Sequence, residues 1–297
     1  MTRPQKIHEP IEADFENVLS TIADEQKPEI KTATARPFLK WVGGKRSILP
    51  ELLDRMPKEY ARYYEPFLGG GALFFAVQPK KAFLSDINFH LIVTFQAVRD
   101  HVDRVIAQLK NLENKHSKEF YQKARLLLFE DPVLIAALFI YLNKTCYNGL
   151  YRVNKSGFFN VPMGDYKTPA IVDEDNLWAC CKLLEGKDIT QQNFDQLKPR
   201  IGDFYYLDPP YHETYSGYSG GGFGDNEHIA LAAFAKRIDE KGAKFMLSNS
   251  DTPFVRKLYK GYTIEKVSAS RMVSCKGDGR GKENELIIRN YDGRGQG

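Results

Sequence analysis

The stretch Tyr63-Tyr64-Glu65-Pro66-Phe67-Leu68-Gly69-Gly70-Gly71 decides the fold. An aromatic, strand-like run meets a proline and then three glycines, and Ala72–Val77 continues as an apolar helical segment. Strand, glycine turn and helix in that order open a βαβ unit. Glycines there let the chain turn tightly and approach a ligand with its backbone. Lys81-Ala82-Phe83-Leu84-Ser85-Asp86 reads as the second strand, ending on an acid seventeen residues after Gly69. A glycine turn alone also suits a purely structural bend. With an acid at the next strand end it favours a ligand containing a nucleoside, the acid taking ribose hydroxyls. Phe67-x-Gly69-x-Gly71 is not the G-x-G-x-x-G of pyrophosphate binders, and S-adenosylmethionine, which has no pyrophosphate, fits it better than a dinucleotide.

Outward from this unit, Arg46–Leu53 reads as a helix upstream, and a short helix around Ile11–Ile22 is compatible with the leader. Downstream, residues 88–147 carry helical periodicity, and Tyr151–Val161, centred on Ser156-Gly157, reads as a β-hairpin. After Trp178 the alternation of strands and helices returns: strands at 188–190, 203–207 and 243–248, helices at 227–241 and 252–259, and a closing hairpin from 263–267 and 285–290. Alternation implies a mostly parallel sheet. The fold class is α/β, a Rossmann-like sheet interrupted by an inserted helical module bearing a hairpin. The boundaries expected are a leader over 1–35, a discontinuous catalytic domain over 36–88 and 173–297, and the insertion over 89–172.

Composition narrows the class. The chain has 297 residues, 42 % hydrophobic and 27 % charged, as in ordinary soluble globular proteins. Its net charge is +4; the first 35 residues carry −3, so the remainder carries +7, a balance that permits a polyanionic partner. Cys146, Cys180, Cys181 and Cys275 form no C-x-x-C pair, which suggests neither zinc nor redox chemistry but reduced thiols in the cytoplasm. No signal peptide is expected, and the longest apolar run, Val133–Leu142, is far short of the roughly 20 residues a membrane helix needs.

The chemistry is concentrated in Leu207-Asp208-Pro209-Pro210-Tyr211, at the end of the apolar strand Phe204–Leu207. Asp208 can accept a hydrogen from an exocyclic amine. The Pro-Pro step removes backbone donors and keeps the chain extended, so a carbonyl of Asp208 or Pro209 can serve as a second acceptor. Tyr211 offers a flat face to a base. Such a device holds a planar amino group for attack on an electrophilic methyl. Upstream, Gly43-Gly44-Lys45 lacks the G-x-x-x-x-G-K-[ST] of a P-loop; Lys45 near a helix start suits an anion such as the methionine carboxylate, with Trp41 beside it. Cytosine-C5 methylation is disfavoured, because its cysteine nucleophile usually follows proline and no Pro-Cys occurs.

Four blocks stand in one order: Phe38-Leu39-Lys40-Trp41-Val42-Gly43-Gly44-Lys45, Glu65–Gly71, Tyr147-Asn148-Gly149-Leu150-Tyr151-Arg152-Val153-Asn154, and Asp208–Tyr211. With them the chain resembles the Dam family of DNA adenine-N6 methyltransferases (D12 class, α-group) from about Phe38 to Tyr291. The resemblance implies that Trp41, Lys45, Phe67, Gly69, Gly71, Asp86, Phe194 and Asp208 contact S-adenosylmethionine, and that Asp208, Pro209, Pro210 and Tyr211 hold an extruded adenine. It implies that Lys40, Tyr147, Asn148, Leu150, Arg152 and Pro162 read duplex DNA in a GATC context. Lys276, Arg280 and Lys282, in a basic glycine-rich stretch, suit phosphate contacts or an ordinary hairpin loop. The glycines of His212–Phe223 predict a mobile lid. No metal and no membrane are expected, and the protein is expected to be a monomer. An RNA methyltransferase is disfavoured by the Tyr147–Pro162 segment, a protein-glutamine methyltransferase by Asp208 where Asn would stand, and a DNA-binding module without catalysis by the intact Asp208 and cofactor blocks.

Overall fold

The computed structural model describes residues 34–213, 223–270 and 282–292. The leader helix around Ile11–Ile22, most of the lid, Cys275, and the phosphate candidates Lys276 and Arg280 lie outside the described residues. Two compact units are present: residues 41–92 with 186 onward, and residues 34–40 with 93–185.

The first unit holds a seven-stranded sheet. Its strands are β1 (Arg62–Glu65), β2 (Ala82–Asp86), β3 (Asp188–Gln191), β4 (Asp203–Leu207), β5 (Lys244–Ser250), β6 (Thr263–Ser270) and β7 (Lys282–Arg289), in the order β3-β2-β1-β4-β5-β7-β6. Strands β3, β2, β1, β4 and β5 pair in parallel, while β7 inserts antiparallel between β5 and β6. This is the Rossmann-like sheet expected from the alternation. Helices α1 (Leu49–Asp54) and α2 (Ala72–Val77) belong to this unit, as do the later helices Asp225–Glu240 and Pro253–Leu258. The strand order reverses between β1 and β4, and in open α/β sheets that switch point beyond the strand ends is where ligands bind. Glu65 ends β1, Asp86 ends β2 and Asp208 follows β4, so the topology gathers all three acids at one edge.

The centre is held by rings. Tyr64 lies opposite Phe83 on β2 and opposite Tyr205 on β4, and its ring stacks on both, at 4.6 and 4.4 Å between centroids. Cross-strand aromatic pairs of this kind add to area burial. Below them Arg62 forms a bidentate pair with the fully buried Asp203, at 2.7 Å to each oxygen.

In the second unit α3 (Phe89–Asp100) enters from the other and α4 (Val102–Asn114), α5 (Lys118–Ala124), α6 (Pro132–Thr145) and α7 (Glu174–Leu184) follow. The later helices of the first unit are therefore α8 (Asp225–Glu240) and α9 (Pro253–Leu258). Helix α6 is apolar nearly all round and buried, as such a helix must be. Asp131 caps it, accepting from the backbone N–H of Val133 and Leu134, and Pro132 sits where its missing donor costs nothing. Helix α7 was not separated from the returning strand pattern by sequence reading. It packs on α4 and clasps the chain before the first unit: Asn176 exchanges two hydrogen bonds with the Arg36 backbone, at 3.0 and 3.1 Å. The described residues contain no helix long and apolar enough to cross a membrane.

Tyr64→Ala is expected to destabilise the protein by about 3–5 kcal/mol, because it empties the middle of the ring stack. Tyr64→Phe, which keeps the ring, should cost only about 1 kcal/mol. Urea unfolding of the two variants checks the difference.

Candidate active site

The edge beyond β1, β2 and β4 is a polar cluster in a buried setting. Asp208 leaves β4 with its side chain 19 % exposed, and Lys45, 6 % exposed, brings its ammonium to 3.0 Å from Oδ1. Lys45 also donates to the Gly43 carbonyl at 2.5 Å. The Asp208 contact is a buried ion pair, with Lys45 as the partner of Oδ1. Burial pushes the Asp208 carboxyl up to about 6; the Lys45 charge and its hydrogen bond pull it down and Glu285 adds to the rise. A carboxylate held by one cation keeps lone pairs to accept an N–H that comes from elsewhere.

Tyr211 is fixed in the same cluster. Its hydroxyl donates to Glu285 Oε2 at 2.7 Å, and the Lys45 ammonium lies over its ring, 4.6 Å from the centroid. Burial, with the Asp208 and Glu285 charges adding, raises the phenol well above its ordinary range, so it stays a neutral donor. Glu65, 2 % exposed, accepts from the Tyr63 hydroxyl at 2.6 Å. Its carboxyl is driven up to about 8, chiefly by burial and further by the Asp208 charge. Glu65 and Glu285 were not singled out by sequence reading. Glu65 carries a signal, an acid closing a buried strand; Glu285 carries none, since only the pairing of β5 with β7 brings it to Tyr211.

The glycine turn is built by its neighbours. Asp86 Oδ2 accepts from the Gly69 N–H at 3.1 Å and Oδ1 from the Asn88 N–H at 3.0 Å, so the acid at the end of β2 organises the turn. Gly69 has φ +46°, and a Cβ there would stand 2.7 Å from Trp41 Cδ1. Gly71, φ +67°, precedes α2. Phe67 and Phe194 lie 5.4 Å apart, with Phe223, also missed in the sequence, edge-on to Phe67 at 5.9 Å. The geometry assembles a backbone-lined turn under an indole and a small aromatic cluster, next to a buried acceptor. Lys45, expected from the sequence to meet a ligand anion, lies 3.0 Å from Asp208 in this structure.

In the other unit the candidate reading residues form one structure. Residues 145–147 run antiparallel to 162–164, with the Tyr147 N–H donating to Pro162 O at 2.9 Å. Beyond it the expected hairpin is a short one: Asn160 N–H donates to Arg152 O, Asn154 N–H to Phe158 O, and Val153 bridges Phe159. Arg152 rests its guanidinium on Asn160, Nε to the side-chain oxygen at 2.7 Å and Nη2 to the carbonyl at 3.1 Å. Asn148 has φ +55° and Tyr147 is 41 % exposed. Leu150 is half-buried, its carbonyl accepting from Cys146 Sγ. Buried Asn143 exchanges hydrogen bonds with both backbone groups of Lys40 and donates to Gly149 O. A Cβ on Gly149 would stand 2.3 Å from Lys40 Cβ, and Lys40 lays its ammonium 4.0 Å from the Tyr166 ring centroid. Asn143 and Tyr166 are thus additions to the sequence-derived set. Lys282 opens β7 in the first unit, away in sequence from this group.

A family profile described as D12 class N6 adenine-specific DNA methyltransferase matches residues 41–273. The chain belongs to this family. It is similar to the type II methyltransferase M.MjaIII of Methanocaldococcus jannaschii, 44 % identical over 86 % of this chain and 99 % of that one. The type II methyltransferase M1.LlaDCHI of Lactococcus lactis subsp. cremoris is 39 % identical over 86 % of this chain and 95 % of its own. The DNA adenine methylase of Haemophilus influenzae is 32 % identical over 88 % and 94 %. As a D12-class DNA adenine methyltransferase the protein uses S-adenosylmethionine as methyl donor. The turn under Trp41, the aromatic cluster and the Asp208 carboxylate fit that donor and an amino acceptor. Among the described residues no group of His, Cys, Asp and Glu has metal-binding geometry.

The two close approaches of glycine give a paired expectation. Gly69→Ala, strained in φ and driven into Trp41, should weaken S-adenosylmethionine binding by roughly tenfold or more and spare duplex affinity. Gly149→Ala, driven into Lys40, should do the reverse by a similar factor of about ten. Calorimetry with the cofactor and with a DNA duplex checks both.

Proposed function

We propose that the enzyme methylates adenine N6 within GATC in duplex DNA, by extruding the base and transferring the methyl directly. The observation that carries the reading is the Asp208 carboxylate, buried at the end of β4 with Lys45 3.0 Å from Oδ1 as its counter-charge and with lone pairs left to accept from a substrate amine. Asp208 Oδ1 accepts one N6 hydrogen, and a carbonyl of Asp208 or Pro209 accepts the other. Those bonds favour sp3 character at N6 and turn its lone pair toward the methyl. Tyr211 stacks on the extruded ring. Lys45 keeps Asp208 ionised and in place, and Asp208 takes the proton that leaves N6. S-adenosylmethionine, when bound, supplies an electrophilic methyl on a good leaving group. Trp41, Lys45, Phe67, Gly69, Gly71, Asp86 and Asp208 would hold it, with Phe194 against its adenine. Positioning and electrostatics carry the rate.

Sequence reading of DNA falls to the unit with Lys40, Tyr147, Asn148, Leu150, Arg152 and Pro162, residues 89–172 being the recognition insert. An arginine fork matches guanine O6 and N7, and Leu and Pro suit the thymine methyl. Asn160 keeps that fork flat and extended before DNA arrives. Lys276, Arg280 and Lys282 would meet phosphates. The DNA adenine methylase among its relatives agrees with a DNA substrate.

Methylation of a random-sequence plasmid, mapped base by base, should mark adenine within GATC; marks confined to another context would refute the specificity, and marks on cytosine the mechanism. Arg152→Ala should lose about 1–3 kcal/mol of discrimination at one guanine, whereas an equal loss on every site would make it a backbone contact.

The acid limb of activity should fall near pH 6, because the carboxyl held at about 6 must be ionised to accept. Removing the Lys45 charge raises that carboxyl further, so Lys45→Met should move the limb to higher pH. Single-turnover rates from pH 5 to 9 measure both.

A further inference from the structure

The mechanism needs Tyr211 as a stacking surface, yet nothing in Asp208-Pro209-Pro210-Tyr211 itself sets the angle of that ring. The structure ties the ring tip to β7, two strands from β4. Glu285 stands on β7 directly across from Ser250 on β5. Glu285 Oε2 takes the Tyr211 hydroxyl at 2.7 Å. Ser250 Oγ donates to the carbonyl of His212, the next residue, at 2.7 Å, and Asn249 Oδ1 accepts the His212 N–H at 3.1 Å. One antiparallel rung therefore grips two consecutive residues, Tyr211 by its tip and His212 by its backbone. Both ring nitrogens of His212 are engaged as well, by Thr252 Oγ1 at 3.0 Å and Asp225 Oδ1 at 3.2 Å, and its ring stacks on Phe254. The chain leaving the motif is thus anchored, and the phenol tip is tied to a different strand.

We propose that Glu285 is a positioning residue for the transfer: through the Tyr211 hydroxyl it fixes the plane on which the target adenine stacks, with the Ser250–Glu285 rung as the frame. This rests on the proposed adenine-N6 mechanism. Glu285 touches neither cofactor nor the reacting nitrogen in this assignment. Its loss should therefore leave cofactor affinity alone and lower the chemical step, because a loosened ring no longer holds N6 in line with the methyl. A second route by which Glu285 could act is its negative charge near Asp208. The two routes separate experimentally: a glutamine keeps an oxygen acceptor for the Tyr211 hydroxyl and removes the charge.

The test uses the full-length enzyme and a duplex with 2-aminopurine in place of the mapped adenine, alongside an unmodified duplex. Glu285→Ala should lower the single-turnover rate on the unmodified duplex by roughly ten- to a hundredfold and change the 2-aminopurine fluorescence of the complex. Its dissociation constant for S-adenosylmethionine should stay within about twofold of wild type, which also reports correct folding. Glu285→Gln should recover most of the rate. Tyr211→Phe should lose about as much as Glu285→Ala, and the double variant no more than either, because both remove one contact. A Glu285→Ala enzyme with wild-type rate and fluorescence would overturn the proposal. So would losses that multiply in the double variant, or a Glu285→Gln enzyme as slow as Glu285→Ala with its acid limb displaced. A wild-type enzyme unable to methylate adenine would instead remove the parent mechanism; wild-type activity with an indifferent Glu285→Ala removes this inference alone.

Discussion

Burying the Asp208 carboxylate at the switch point of the sheet is the constraint around which the active site is arranged. A carboxylate in such a place is costly unless a charge lies beside it. Lys45 supplies that charge, reaching Asp208 from the turn before α1. The pairing is incomplete in one respect: one ammonium does not use all the lone pairs of the carboxylate. A carboxylate donated to on every side would be more stable and would have nothing to offer an incoming amine. The price of function is visible in the raised carboxyl, held near 6.

The other features follow from that position. Parallel pairing of β2, β1, β4 and β5 brings the ends of three strands, and with them Glu65, Asp86 and Asp208, to one edge. Desolvation there acts on each acid according to its neighbours. Glu65, fully buried and beside the Asp208 charge, is driven to about 8, while Asp208, in contact with Lys45, rises less. The Asp86 carboxyl is raised by burial, partly offset by the backbone N–H groups it accepts, and those hydrogen bonds make it the scaffold of the glycine turn. The Tyr64 ring stack keeps these strands in register, since a one-residue slip would turn every side chain to the opposite face.

Local signals made much of this legible in the sequence. Ala72–Val77 as a helix and Asp203–Leu207 as a strand needed only apolar runs bounded by Gly and Pro. The order of β1, glycine turn, α2 and β2 carried the fold class, and the motif residues carried the family. Features made by long-range pairing were not legible. Glu285 lies 74 positions from Tyr211, and the antiparallel insertion of β7 alone joins them. Asn143 looks like one more polar residue at the end of an apolar helix until its hydrogen bonds to Lys40 and Gly149 are seen. Helix α7 escaped although Glu185-Gly186-Lys187 marks its end, because the returning β/α pattern was read only from Trp178, inside it. Lys45 was legible as an anion-binding lysine, but sequence could not say that its anion would be Asp208.

The most direct measurement is an NMR titration of the Asp208 side-chain carbonyl carbon in the wild-type protein, followed without cofactor or DNA. The account expects a midpoint near 6, moving upward in Lys45→Met, where burial acts without the compensating charge. A midpoint at the ordinary aspartate value of 3.8, unchanged by Lys45→Met, would mean that Asp208 is solvated and unpaired. That result would contradict the buried acceptor on which the mechanism stands.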